Sequence, residues 1–169
     1  TEIVEAMSAK AGMTIEISLY PWARAYKTAI EQPNTLIFSI FRSPEREEQF
    51  YWIGPVIPPA QIGLFKLKER ADIRLNSLED AKRYLISVVR HTIFHTYLLE
   101  HGFEEGENID LQADPGQNLK LLLFKRVDLV FAEEFENAAL LESLELRPDV
   151  MEEALPLPEL NTDFYVAVN

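Results

Sequence analysis

The sequence predicts an α/β fold, with strands and helices alternating to build mostly parallel sheets with flanking helices in two lobes. Three observations predict it. Short apolar runs bounded by turn residues recur at Thr35 to Phe41, Tyr84 to Val89 and Val127 to Phe131. Helix-length segments with start and stop signals stand between such runs, as in Thr92 to His101 before Gly102. A Pro-rich break, Gly54-Pro-Val-Ile-Pro-Pro59, separates one strand–helix series from the next.

The elements follow in order. Thr1 to Ala11 reads as a helix with Ile3, Val4 and Met7 on one face and Gly12 as its stop. Thr14 to Leu19 alternates polar and apolar residues and predicts a half-buried strand. Pro21 suits the first turn of a helix running to about Gln32. Strand Thr35 to Phe41 is followed by a short capped turn, with Ser43 at the cap and Pro44 first. Tyr51 to Ile53 is a brief strand that the Pro-rich break ends, and Ile62 to Lys66 resumes the pattern. Ser77-Leu-Glu-Asp80 has the shape of a capping box without the usual Glu. Then come strand Tyr84 to Val89, helix Thr92 to His101, strand Asn108 to Gln112, a helix opened by Asp114-Pro-Gly116, strand Val127 to Phe131, and helix Glu133 to Leu144. The chain closes on a strand-like run, Phe164 to Val168.

Composition narrows the function. With 169 residues and 47% hydrophobic content, the chain can bury a core. A net charge of −12 argues against nucleic acid, whose phosphates recruit cationic proteins. Cysteine is absent, which excludes disulfides, thiolate nucleophiles and cysteine metal sites. No apolar run approaches the length of a membrane span. A helix at the first residue and a strand at the last imply a piece of a longer protein, and self-association of such a piece is expected.

Two segments carry the functional signal, Pro21-Trp-Ala-Arg-Ala25 and Ser39-Ile-Phe-Arg-Ser-Pro-Glu-Arg46. An arginine just past a buried strand lies where α/β proteins gather ligands. Its guanidinium can hold a carboxylate with two parallel hydrogen bonds. Three ordered motifs then resemble the bacterial solute-binding proteins of amino-acid ABC importers. They are Phe38 to Arg46 followed by Phe50-Tyr-Trp-Ile-Gly-Pro55, then Ile86-Ser-Val-Val-Arg-His-Thr92, then Lys125-Arg-Val-Asp-Leu-Val-Phe-Ala-Glu133. The Pro-Trp-x-Arg-Ala element resembles one subgroup of that family.

The resemblance implies a two-lobed, type II periplasmic-binding-protein-like fold with two hinge crossings. Residues 1–58 and 164–169 would form an incomplete first lobe, and 59–163 the second. Arg46 matches the family's arginine for a ligand carboxylate, and Ser39 adds a polar contact. Thr92 matches the threonine at a helix start, where an anion is favoured. Glu133 matches an acid, usually Asp, that holds the ligand ammonium. His91 replaces the family's glycine before Thr92, so backbone approach to a ligand is less free. Trp22 and Arg24 are further pocket candidates.

The implied protein is periplasmic or otherwise extracytoplasmic. It captures an amino acid or similar small polar ligand between its lobes, delivers it to an ABC transporter permease, and performs no chemistry. Two rivals share the fold: an extracytoplasmic sensor of a membrane signalling protein, and a dehydratase-like enzyme. No cofactor or metal is expected. Plainer readings stand beside these. Arg46 would pair with Glu45, Glu47 or Glu48 at the surface, and Trp22, Tyr20 and Trp52 would be packing aromatics. Glu133-Glu134 would be helix-dipole partners, and Asp128 would orient its surroundings without touching ligand. His91 and His95, four apart, are a two-point metal motif lacking a third ligand.

Overall fold

The computed structural model of the chain describes residues 2–57, 61–133 and 141–169, with only the backbone of Glu133 and Pro148. The chain divides into two compact units, Thr1–Pro59 with Thr162–Asn169, and Ala60–Asn161.

The first unit begins with α1, Glu2–Ala11, of which only Val4 is buried. Helix α2, Trp22–Glu31, starts directly after Pro21, whose extended backbone (φ −52°, ψ 143°) leads into the first turn. Three strands follow the same hydrophobic logic. They are β1, Leu36–Phe41, then β2, Tyr51–Ile57, and the chain's last strand, β8, Phe164–Val168. The sheet order is β1-β8-β2, and β8 is antiparallel to both neighbours. Its core joins Ala29 of α2, Ile37 and Ile40 of β1, Phe50 and Ala167, with Trp22, Tyr26, Trp52 and Tyr165 packed around them.

The second unit carries a five-stranded sheet in the order β5-β4-β6-β3-β7. Its strands are β3, Ile62–Leu67, β4, Ile86–Val89, β5, Ile109–Gln112, β6, Leu129–Glu133, and β7, Met151–Pro156. The short helix α3, Leu78–Ala81, precedes β4, while α4, Ile93–Glu100, and α5, Pro115–Leu123, join β4, β5 and β6. Strand β4 is buried throughout, and its one polar residue, Ser87, donates to Asn118 Oδ1 at 2.9 Å. That bond satisfies a hydroxyl that would otherwise cost about 1–3 kcal/mol unpaired. Asp128 accepts from Arg70 Nη1 at 2.7 Å and from the Leu85 N–H at 3.1 Å, and so orients the approach to β4 and β6.

The two ends of this unit are tied together. Asn161 Oδ1 accepts from the Ile62 N–H at 2.9 Å, and the Leu157 N–H donates to the Ile62 carbonyl at 2.9 Å. Tyr97 of α4 donates to Glu159 Oε1 at 2.5 Å. Burial, and then the bond to Glu159, raise the Tyr97 phenol above its ordinary pKa, so it remains a neutral donor.

Four expectations are corrected. The five-stranded sheet is mixed and the three-stranded sheet antiparallel, rather than mostly parallel, since among the described strands only the β4–β5 and β4–β6 pairs are parallel. Helix α4 is the crossover that joins β4 to β5, and α5 carries the chain from β5 past β4 to β6. β8 arrives from the far end of the chain, and its place between β1 and β2 is not a local property. Thr14 to Leu19 keeps its alternation, with Ile15 and Ile17 half-buried, yet it forms no strand. Alternation reports a buried side, not a partner backbone. The Pro-rich break does not end β2, which continues to Ile57 with a register shift after Ile53. β2 lies at a sheet edge, where proline's missing N–H is tolerated. Glu133 does not start a helix, because its backbone closes β6 opposite Ile62. Residues 134–140 of the helix expected there lie outside the described residues. β7 was not anticipated from sequence.

Two outcomes are expected. A Cβ at Gly63 would lie 2.5 Å from Glu153 Oε1 and 2.8 Å from the Leu155 carbonyl oxygen, where β3 meets β7. Gly63→Ala should therefore cost about 1–3 kcal/mol in urea unfolding, the scale of an overpacked site. The outer edges of β1 and β2 carry no strand among the described residues, and Tyr51, Leu19 and Met13 are well exposed. Light scattering should show concentration-dependent self-association.

Candidate functional site

In the first unit the structure brings Trp22 and Arg46 together, and no hydrogen bond, ion pair or ring contact among the described residues joins Ser39 or Arg24 to them. Residues Trp22 and Tyr26 stand four apart on α2, so they share a face. Their ring centroids are 5.8 Å apart at 25°. The turn Pro44–Gln49 delivers Arg46 onto that face, with its guanidinium carbon 5.5 Å from the Trp22 centroid and 5.0 Å from that of Tyr26. Arg46 Nη1 donates to the Phe41 carbonyl at 3.1 Å. Only 6% of Arg46 is exposed. Burial lowers its pKa, opposed by Tyr26 and Glu45, but an arginine remains cationic throughout the working range. Glu47, one of the acidic neighbours of Arg46 in sequence, is engaged by Arg42 Nε, at 2.7 Å, and by Arg42 Nη2, while Glu45 opposes the lowering of the Arg46 pKa.

Further bonds hold this arrangement. Tyr26 donates to Gln49 Oε1 at 2.8 Å, and Gln49 Nε2 donates to the Glu45 carbonyl at 2.7 Å. Trp52 Nε1 donates to the Glu47 carbonyl at 3.3 Å. The aromatic chain continues from Tyr26 through Phe50 and Trp52 to Tyr165, with centroids 5.7–6.0 Å apart. Ser39 sits where β1 shifts register against β8, with φ at +56°. It is a bulge residue whose side chain is exposed, and bulges re-aim side chains at functional edges. Arg24 is exposed, with its guanidinium carbon 4.2 Å from the Tyr20 centroid.

In the second unit Thr92 is the N-cap of α4. Its hydroxyl donates to the Val89 carbonyl at 2.7 Å and accepts the His95 N–H at 3.3 Å. The hydroxyl is therefore committed to closing the loop. What the helix start offers an anion is backbone: first-turn N–H groups lack intrahelical acceptors, and the dipole is positive there. His91 precedes the cap with φ at +62°, in the left-handed region that glycine would occupy without strain. It is exposed at the surface of this loop. Glu133 is described by its backbone alone, at the end of β6. Strands β4 and β6 are parallel neighbours, so Thr92, just past β4, and Glu133, the last residue of β6, lie at strand ends of one sheet.

Sequence reasoning did not single out Tyr26, Glu105 or Arg42. The signal for Tyr26 was its spacing from Trp22. Glu105, whose Oε1 lies 3.0 Å from His95 Nε2, follows α4 in a turn region and carries no comparable signal. The expected outcome for the cap is quantitative: Thr92→Ala should destabilise the second unit by about 0.5–2 kcal/mol, measured by urea unfolding.

No family model matches the chain, and no curated protein matches it. Solved structures do. A histidine kinase sensor domain with similarity to periplasmic binding proteins aligns with a TM-score of 0.81 at 20% identity, over 99% of this chain and 70% of that one. AbpA, an amino acid ABC transporter substrate-binding protein from Streptococcus pneumoniae bound to L-arginine, aligns at 0.80 and 19% identity, over 99% and 68%. A solute receptor for L-cysteine of Neisseria gonorrhoeae aligns at 0.77 and 16%, over 99% and 66%. These likenesses establish that the chain has the two-lobed periplasmic-binding-protein-like α/β fold.

Proposed function

We propose that this chain is an extracytoplasmic solute-binding domain that captures an amino acid, or a similar small zwitterion, for an ABC importer. The observation that carries the proposal is Arg46: a buried guanidinium lying over the Trp22 and Tyr26 rings and steadied by the Phe41 carbonyl. A cation fixed that way is ready to pair with a carboxylate without reorganising. The start of α4, closed by Thr92, supports the carboxylate with backbone N–H groups, and Glu133 pairs with the ammonium. Ser39 adds a polar contact at the bulge, with Trp22, Arg24 and His91 bordering the ligand. The groups assembled are binding groups, and the neighbours named above are binding and sensing proteins, so we assign no chemistry to the site.

A second reading, an extracytoplasmic sensor of a membrane signalling protein, is favoured by the likeness to a histidine kinase sensor domain. No helix among the described residues is long and apolar enough to cross a membrane. The two roles share ligand chemistry and differ in what adjoins the domain. A membrane-spanning segment encoded beside it, together with a kinase whose activity follows ligand, would favour sensing.

A thermal-shift panel of L-amino acids, dicarboxylates and polyamines should single out amino acids. A hundredfold excess over the dissociation constant adds about 2.7 kcal/mol of stability. A hydrogen bond to a charged group contributes about 1.5–3 kcal/mol, and about 1.4 kcal/mol is tenfold in affinity. By calorimetry, Arg46→Ala and Glu133→Gln should each weaken binding at least about tenfold. Arg46→Ala should affect every carboxylate ligand, whereas Glu133→Gln should spare ligands without an amine. Unchanged affinity in Arg46→Ala would remove the centre of the proposal.

A further inference from the structure

Thr14 to Tyr20 reads as a strand and has nothing to pair with. These seven residues form no helix, turn or bend, and among the described residues none of their N–H or carbonyl groups makes a backbone hydrogen bond. Leu19 is 80% exposed, and Ile15 and Ile17 are half-buried. Unpaired backbone groups beside apolar side chains are a template for another strand. The outer sides of β1 and β2 are also open, but each carries a feature that blunts pairing. β1 is bulged at Ser39, and β2 contains Pro55, which has no N–H. Thr14 to Tyr20 has no proline and a single charge, Glu16.

The order of these residues is complementary to itself. Laid antiparallel to a second copy about a twofold axis at Ile17, the run sets Ile15 opposite Leu19, Glu16 opposite Ser18 and Thr14 opposite Tyr20. The apolar pairs Ile15–Leu19, Ile17–Ile17 and Leu19–Ile15 then share one face, and no charge meets its like. A slip of one residue sets Glu16 against Ile17, and an axis at Glu16 sets two carboxylates opposite each other.

We propose that Thr14 to Tyr20 is a dimerisation strand whose partner is the same run of a second copy, joined antiparallel about Ile17. The contact is isologous and closed, so association stops at the dimer. It covers Leu19 with the Ile15 side chain of the other copy. It gives a place and a symmetry to the self-association expected of the first unit, and it is independent of the ligand reading.

The chain has no cysteine, so a single introduced one reports contact between copies. Opposed residues of an antiparallel pair have Cα atoms about 4.5–5.5 Å apart, within disulfide range. Mild oxidation of Ile17→Cys should therefore give a cross-linked dimer. Glu16→Cys mixed with Ser18→Cys should cross-link in preference to Glu16→Cys with itself; both positions are exposed, so this pair decides the register even if the Ile17 variant misfolds. Sedimentation equilibrium supplies a second readout, at about 0.15 M salt, where screening over about 8 Å mutes repulsion between copies of net charge −12. Ser18→Lys sets an ammonium opposite Glu16 at two symmetric places and should tighten the dimer about twofold or more, whereas Ser18→Glu should loosen it by a similar factor. By hydrogen exchange, alternate amides of Thr14 to Tyr20 should gain protection as the dimer forms. A chain that stays monomeric at hundreds of micromolar overturns the proposal. So does association without cross-linking at positions 16 to 18, which would place the contact on the edges of β1 or β2. Protection of these amides at dilutions where the chain is monomeric overturns it as well, since their partner would then lie within one chain.

Discussion

Keeping a guanidinium charged while almost all water is removed from it is the demand that organises the first unit. Desolvating a cation costs several kcal/mol unless other groups replace the lost hydration. Around Arg46 the replacements include two ring faces from α2 and a carbonyl oxygen from the end of β1. The rings require α2 to present Trp22 and Tyr26 on one face, which the four-residue spacing ensures. The carbonyl requires β1 to end at Phe41, whose ring stacks on Phe164 of β8 with centroids 4.4 Å apart. The turn must reach far enough to bring Arg46 over the rings, and Tyr26 and Gln49 bolt its far end to α2. Arg42 holds Glu47 close by in sequence, and over Trp52 and Tyr165 it repeats the same cation-on-ring motif at the other end of the aromatic chain. A desolvated cation–ring contact contributes on the order of 2 kcal/mol, so this arrangement offsets part of the burial cost while leaving the charge in place.

In the second unit the constraint falls on the place where α4 starts. Its buried parallel strands set the level at which α4 starts, and the Ser87–Asn118 pair keeps the one polar group of β4 satisfied. The loop between β4 and α4 then turns through His91 in a conformation that its own side chain disfavours, so the surrounding bonds decide it. The same helix donates through Tyr97 to Glu159, beside the residues where the chain leaves the unit. A perturbation at the start of α4 and the conformation of that exit are thus connected by one rigid helix of eight residues.

Much of the fold was legible because its signals are local. The apolar runs Thr35 to Phe41 and Tyr84 to Val89 declare the strands found at Leu36–Phe41 and Ile86–Val89, and Thr92, Asp114 and Pro44 mark starts where the structure has them. What failed was non-local. No pattern within Phe164 to Val168 shows that it lies between β1 and β2, and nothing in Thr14 to Leu19 reports the absence of a hydrogen-bonded neighbour. The strand Met151–Pro156 was missed because two glutamates and a terminal proline hide its pairing with β3. At the candidate site, Arg46 and Thr92 were readable from their positions after a strand and before a helix. The support given by Tyr26, His95 and Glu105 was not, since it depends on where rings and carboxylates point once the chain has folded.

The central claim is that a cation and an anion of this chain hold the two charges of one zwitterion, and the most direct measurement deletes those charges from the ligand. Calorimetry on the unmodified chain would compare the best-binding L-amino acid of a panel with its primary amide, which lacks the carboxylate, and with its deaminated acid, which lacks the ammonium. The account predicts that each analogue binds at least about tenfold more weakly, the scale of one charged hydrogen bond. Equal affinity for the amino acid and either analogue, or no binding by any L-amino acid, would contradict it.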